Sequence, residues 1–113
     1  NKDAQLTLEI ADSNYERIKG LQGREALAEN EGVLFIFSDE DHRTFWMYNT
    51  PISLDIAFLD ADKRIINIHK DTTPNNTAIK YTSQSPAQYV IETRAGWFET
   101  YHVQEGDFVE FTL

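Results

Sequence analysis

Apolar and polar positions alternate through "AQLTLEIA" (4–11), where Leu6, Leu8 and Ile10 share one side and Thr7 and Glu9 the other. That period of two predicts a half-buried strand. "SNYERIKG" follows, with Ser13 three residues before Glu16, the spacing at which two side chains satisfy orphan amides at a helix start. Gly20 or Gly23 closes this short helix, and "GREALAENEG" continues as a turn or a further helical turn. "GVLFIF" (32–37) and "RTFWMY" (43–48) are apolar on both faces and belong inside a sheet, joined by the turn "SDEDH".

A second strand pair, "ISLDIAFLD" and "RIINIHK", is connected through "DADK", a short polar stretch suited to a hairpin. Ile52, Leu54, Ile56 and Phe58 share one face, and Ser53, Asp55, Ala57 and Leu59 the other. Residues 71–87 have no period and hold two of the three prolines, an irregular stretch of unusual length for a compact domain. "QYVIETR" (88–94) is a further strand, "GWFETYH" a helical turn, and "EGDFVEFTL" a turn into a last strand. These elements predict one α+β domain spanning 1–113. Its core is a mostly antiparallel, strongly curved sheet or small barrel, with one N-terminal helix and a short C-terminal helical turn.

Composition narrows the functional classes. A chain of 113 residues buries about 65% of its unfolded surface on folding. The longest apolar runs are far too short to cross a bilayer. A net charge of −9 argues against nucleic acid and against an anionic membrane surface. The absence of cysteine excludes thiol catalysis, disulfides and thiolate-bound zinc. The chain begins at Asn1 without a Met, which reads as a trimmed or mature form.

Gly20-Leu21 with Arg24, Gly32-Val33-Leu34-Phe35, "FWMYNT", "LDIAFLD", "YVIE", Gly96 and Gly106-Asp107 occur in that order. This series resembles the conserved uncharacterised family catalogued as domain of unknown function 192, from about residue 6 to 111. The resemblance implies a compact prokaryotic β-rich domain with no agreed activity. It also implies an extracytoplasmic location, periplasmic or anchored to the envelope through a region ahead of Asn1. This chain departs from the family pattern at Gln22-Gly23, where a Met and an aromatic are usual, and at Tyr48, where a Lys is usual.

Candidate chemistry gathers around Asp55, a carboxylate in the middle of an apolar strand. Burying it costs several kcal/mol unless it is paired and hydrogen-bonded. Arg24 is the expected partner, because its planar fork grips a carboxylate with two bonds. With Trp46, Asn49 and Thr50, these residues make a candidate polar cleft for a small, saccharide-like ligand, Trp46 supplying the flat apolar face. The same residues also suit a purely structural ion pair. A hydrolase reading needs Asp55 and Glu92 about 5–9 Å apart. A third alternative is a structural module docking on an envelope protein through the acidic face or residues 71–87.

No cofactor is expected. The three histidines have no ligand spacing, and Asp39-Glu40-Asp41 and Asp60-Ala61-Asp62 read as solvated turns rather than calcium loops. Trp97, Phe98 and Tyr101 read as a core stripe.

Overall fold

The computed structural model describes residues 4–113. Its elements run β1 (Thr7–Ala11), α1 (Asn14–Lys19), β2 (Glu31–Asp41), β3 (Thr44–Phe45), β4 (Leu54–Leu59), β5 (Ile65–His69), β6 (Tyr81–Thr82), β7 (Ala87–Arg94) and α2 (Trp97–Thr100). Five strands form one sheet in the order β1-β2-β7-β4-β5, and β3 pairs with β6 in a small second sheet. β1 runs parallel to β2, and the other neighbours in the large sheet are antiparallel.

The expected curved sheet is present, but it is not closed into a barrel. β1 and β5 are the two edges and do not pair with each other. Closure would need the edge strands to tilt into a common register; here the two faces are covered by other parts of the chain instead.

That double cover explains the hydrophobic pattern of the middle strands. All six residues of β4 are buried, the reading expected of a strand with both faces packed. Leu54, Ile56 and Phe58 join Phe35, Met47 and Val90 in one core. Ala57 and Leu59 join Tyr89, Ile91, Trp97 and Phe98 in the other. The face division read from the sequence of β4 therefore holds, and the Trp97–Phe98 stripe is core.

Local signals also hold at α1. Ser13 accepts from the Glu16 amide at 3.1 Å, and Glu16 reaches back to the Ser13 amide at 3.1 Å, a complete capping box. Gly20 ends the helix at φ +47°, ψ −126°, a conformation that side-chain-bearing residues rarely adopt. None of the helix's own residues is buried.

Two expectations need correction. The strand expected over 43–48 is only Thr44–Phe45. The expected last strand is absent: 106–113 makes an isolated bridge between Phe108 and Arg64. The irregular stretch 71–87 is tied into the domain. Thr72 Oγ1 accepts the Leu54 amide, Asn76 Oδ1 accepts the amides of Ala78 and Ile79, and β6 lies within the stretch.

Candidate functional site

Asp55 is fully buried on β4, but no guanidinium reaches it. Its Oδ1 accepts the Asp71 amide at 3.0 Å. Its Oδ2 accepts the amides of Gly96 at 3.1 Å and Phe98 at 3.4 Å. Gly96 is the N-cap of α2 and, having no side chain, offers the first turn no acceptor. Asp55 supplies that acceptor from a distant strand. Burial pushes its carboxyl above the usual range, opposed by those three backbone bonds and by the charge of Lys70.

The proposed Asp55–Arg24 pair is therefore corrected. Arg24 instead donates to Glu9 Oε1 at 2.6 Å, in an exposed pair beside the edge strand β1. Asn49 takes a structural place too. It adopts φ +50°, and its carbonyl accepts the Gly23 amide at 2.7 Å. Asn tolerates this left-handed conformation better than most residues.

A different carboxyl marks the candidate site. In the register of β4 and β7, Glu92 pairs with Ile56 and Thr93 with Asp55. Because side chains alternate across a strand, Glu92 projects to the face of Ile56, and Asp55 to the other. Asp55 and Glu92 are not brought together, and no acid/base pair of the glycosidase type forms between them. Glu92 retains 4% exposure and faces a cleft of about 350 Å³ between α1, the turn after it, and the aromatic residues of β2 and β3.

Among the described residues, Glu92 has no hydrogen-bond or ionic partner that offsets its burial. Burial alone raises its pKa from 4.5 to about 8. At neutral pH it is accordingly a neutral acid, able to donate a hydrogen bond into the cleft.

The backbone around Glu92 is built close. A Cβ on Gly32 would lie 2.4 Å from the Glu92 carbonyl oxygen, so only glycine fits there. A Cβ on Gly20 would meet the Phe35 ring at 3.2 Å and stand 3.9 Å from Glu92 Oε1. Gly32 is thus fixed by the close approach of the Glu92 backbone, and Gly20 by its positive φ and the Phe35 ring beside the Glu92 carboxyl.

The cleft wall is aromatic. Phe35, Phe37 and Phe45 line it, with Trp46 and Tyr48 at the mouth. Trp46 and Tyr48 are each 49% exposed, and their rings stack at 5.3 Å with 23° between planes. Lys80 Nζ lies 5.0 Å from the Trp46 ring centre. Thr50 also lines the cleft, its hydroxyl donating to the Tyr48 carbonyl at 3.0 Å.

Of the residues singled out from sequence, Trp46, Thr50 and Glu92 line this cleft, while Arg24, Asn49 and Asp55 do not. Arg17, Lys19, Gly20 and Tyr48 line it and were missed. The available signal was the Gly20-Leu21 and Gly32-Val33 pair of glycines, together with Glu92 inside the apolar run "YVIET". The acidic runs have structural roles. Asp60 Oδ1 accepts the Asp62 and Arg64 amides in the β4–β5 turn, and Asp39 pairs with Arg43 at 2.9 Å.

Residues 1–111 match the family model DUF192, described as "Uncharacterized ACR". The chain belongs to the DUF192 family. The UPF0127 protein TK1120 of Thermococcus kodakarensis is 27% identical, over 93% of this chain and 64% of its own length. A UPF0127 protein of Thermococcus gammatolerans is also 27% identical, over 94% of this chain and 67% of its own length. This DUF192 chain thus spans about two thirds of the length of these relatives. Two crystal structures superpose closely. A Sinorhizobium meliloti protein, provisionally named a transcription regulator, gives a TM-score of 0.89 at 34% identity, over 93% of this chain and 81% of that one. A protein of unknown function from Novosphingobium aromaticivorans gives 0.90 at 34% identity, over 94% and 75%.

Proposed function

We propose that this DUF192 domain is a binding module whose small polar ligand enters the aromatic cleft and accepts a hydrogen bond from Glu92. The observation that carries the reading is a nearly sealed carboxyl, without a compensating partner among the described residues, that lines a cleft. An acid in that state costs free energy that a purely structural residue would have no reason to retain. The half-exposed stack of Trp46 on Tyr48 offers flat apolar surface at the mouth, as a saccharide-like ring would require. This is a cleft of the size that takes one small molecule.

A hydrolase acting through Asp55 and Glu92 loses its support, since the two lie on opposite faces. Docking through the acidic face or residues 71–87 has no comparable feature behind it. The regulator name of the Sinorhizobium protein does not transfer readily, because a net charge of −9 gives little footprint for phosphates. An extracytoplasmic location remains part of the proposal, and a chain without cysteine is compatible with it.

Amide-detected NMR titration with a panel of monosaccharides, uronic acids and aromatic acids tests the reading. Shifts confined to Gly20, Trp46, Thr50 and Glu92, abolished by Trp46→Ala, are the expected result. Shifts centred on Arg24 and Asn49, or none at all, would overturn it.

A further inference from the structure

The charges around the cleft carry the reading one step further, to the class of ligand. The chain holds 19 acidic residues against 10 basic ones, yet the charged side chains lining the cleft besides Glu92 are Arg17 and Lys19. Neither makes a salt bridge among the described residues. Arg17 donates to the carbonyls of Asp12 at 2.6 Å and Ile36 at 2.8 Å, and to Asn14 Oδ1 at 2.8 Å. Those acceptors are neutral; they fix the guanidinium in place and leave its charge uncompensated. Lys19 Nζ has only a long contact, 3.5 Å, to the Gln22 carbonyl. The nearby acid of α1, Glu16, turns its carboxylate to the amides of Asp12 and Ser13 and does not line the cleft.

Two cations without counter-charge on an otherwise acidic protein, flanking a buried carboxyl, make an electrostatic minimum for an anion. We infer that the ligand is a ring-shaped carboxylate, its ring against the aromatic wall formed by Phe45, Trp46 and Tyr48 and its carboxylate directed to Lys19 and Arg17. Lys19 carries most of the selection, because its three donors are nearly free, whereas the guanidinium of Arg17 is largely committed to the backbone. A carboxylate is an acceptor and so also suits the protonated Glu92; a cationic ligand would suit neither group. Acidic sugars and aromatic acids share this chemistry, and a binding experiment separates them.

The inference rests on the binding reading above, and the test keeps the two apart. Calorimetric titration at pH 6.5 compares D-glucuronate with D-glucose, and benzoate with benzamide, on the wild type and on Lys19→Gln. The expected result is binding of one of the two acids at least tenfold tighter than its neutral counterpart. That preference should fall to about threefold or less in Lys19→Gln, whose thermal melt should match the wild type. Whichever acid binds identifies the source of the ring. Neutral compounds binding as tightly as the acids, or a preference that survives Lys19→Gln, would overturn the anionic class while leaving the binding module standing. No binding by any of the four compounds would count against both.

Discussion

Asp55 and Glu92 stand on neighbouring strands of one sheet, one position out of register, and both are withdrawn from solvent. A scan for carboxylates in apolar strands would treat them alike. The pleat turns them to opposite faces, and the partners differ completely. Asp55 meets three backbone amides and ties β4 to the chain at Asp71 and to the first turn of α2. Glu92 meets an aromatic cleft and, among the described residues, no compensating group. Burial therefore does not distinguish architecture from a site; the count of satisfied partners does.

The comparison breaks most visibly at Asp55. Asp55→Ala strands three amides in the interior and should cost about 4–5 kcal/mol in urea denaturation at pH 7. A loss under about 1 kcal/mol would remove the anchoring role. Glu92→Gln should act in the opposite sense. The folded protein holds the Glu92 proton up to about pH 8, whereas the unfolded chain releases it near 4.5. The stabilisation linked to that proton is fully present below pH 4.5 and is lost as pH rises to about 8. Its loss between pH 4.5 and 7.5 is roughly 3–4 kcal/mol. Arg17 and Lys19 of α1 are the other charged groups that face the cleft. Glu92→Gln should flatten the pH profile and be more stable than the wild type at pH 8, with the two nearly equal at pH 4.

Smaller effects sharpen the contrast. Gly20→Ala forces a side chain into a positive-φ position against the Phe35 ring and should cost about 1–2 kcal/mol in thermal denaturation. Arg24→Gln removes only an exposed pair with Glu9 and should change stability by no more than about 0.5 kcal/mol. An effect of several kcal/mol there would restore Arg24 to a central role.

How far the sequence was legible follows from the range of each interaction. Alternation along β4, the Ser13–Glu16 box and the polar β4–β5 turn are local, and all three read correctly. The oddness of Asp55 was legible as well, but its partner was not. Backbone amides of α2 carry no side-chain letter, so a guanidinium was the natural candidate in their place. Glu92 was visible as a carboxylate in an apolar run. Its face relative to Asp55 depends on the register of β7 against β4, strands separated by nearly thirty residues of chain, and no local pattern encodes that. The terminal stretch "FVEFTL" alternates like a strand, yet its backbone pairing is confined to the Phe108–Arg64 bridge and the Val109 amide on the Lys63 carbonyl, and it forms no ladder.

The central claim is that Glu92 is a protonated acid facing the cleft, without a partner among the described residues, and a carboxyl-detected NMR titration of the ¹³C-labelled protein addresses it directly. A Glu92 midpoint near 8 is the expected result. A midpoint in the ordinary glutamate range, near 4.5, would contradict it by showing a carboxylate that is either solvated or paired.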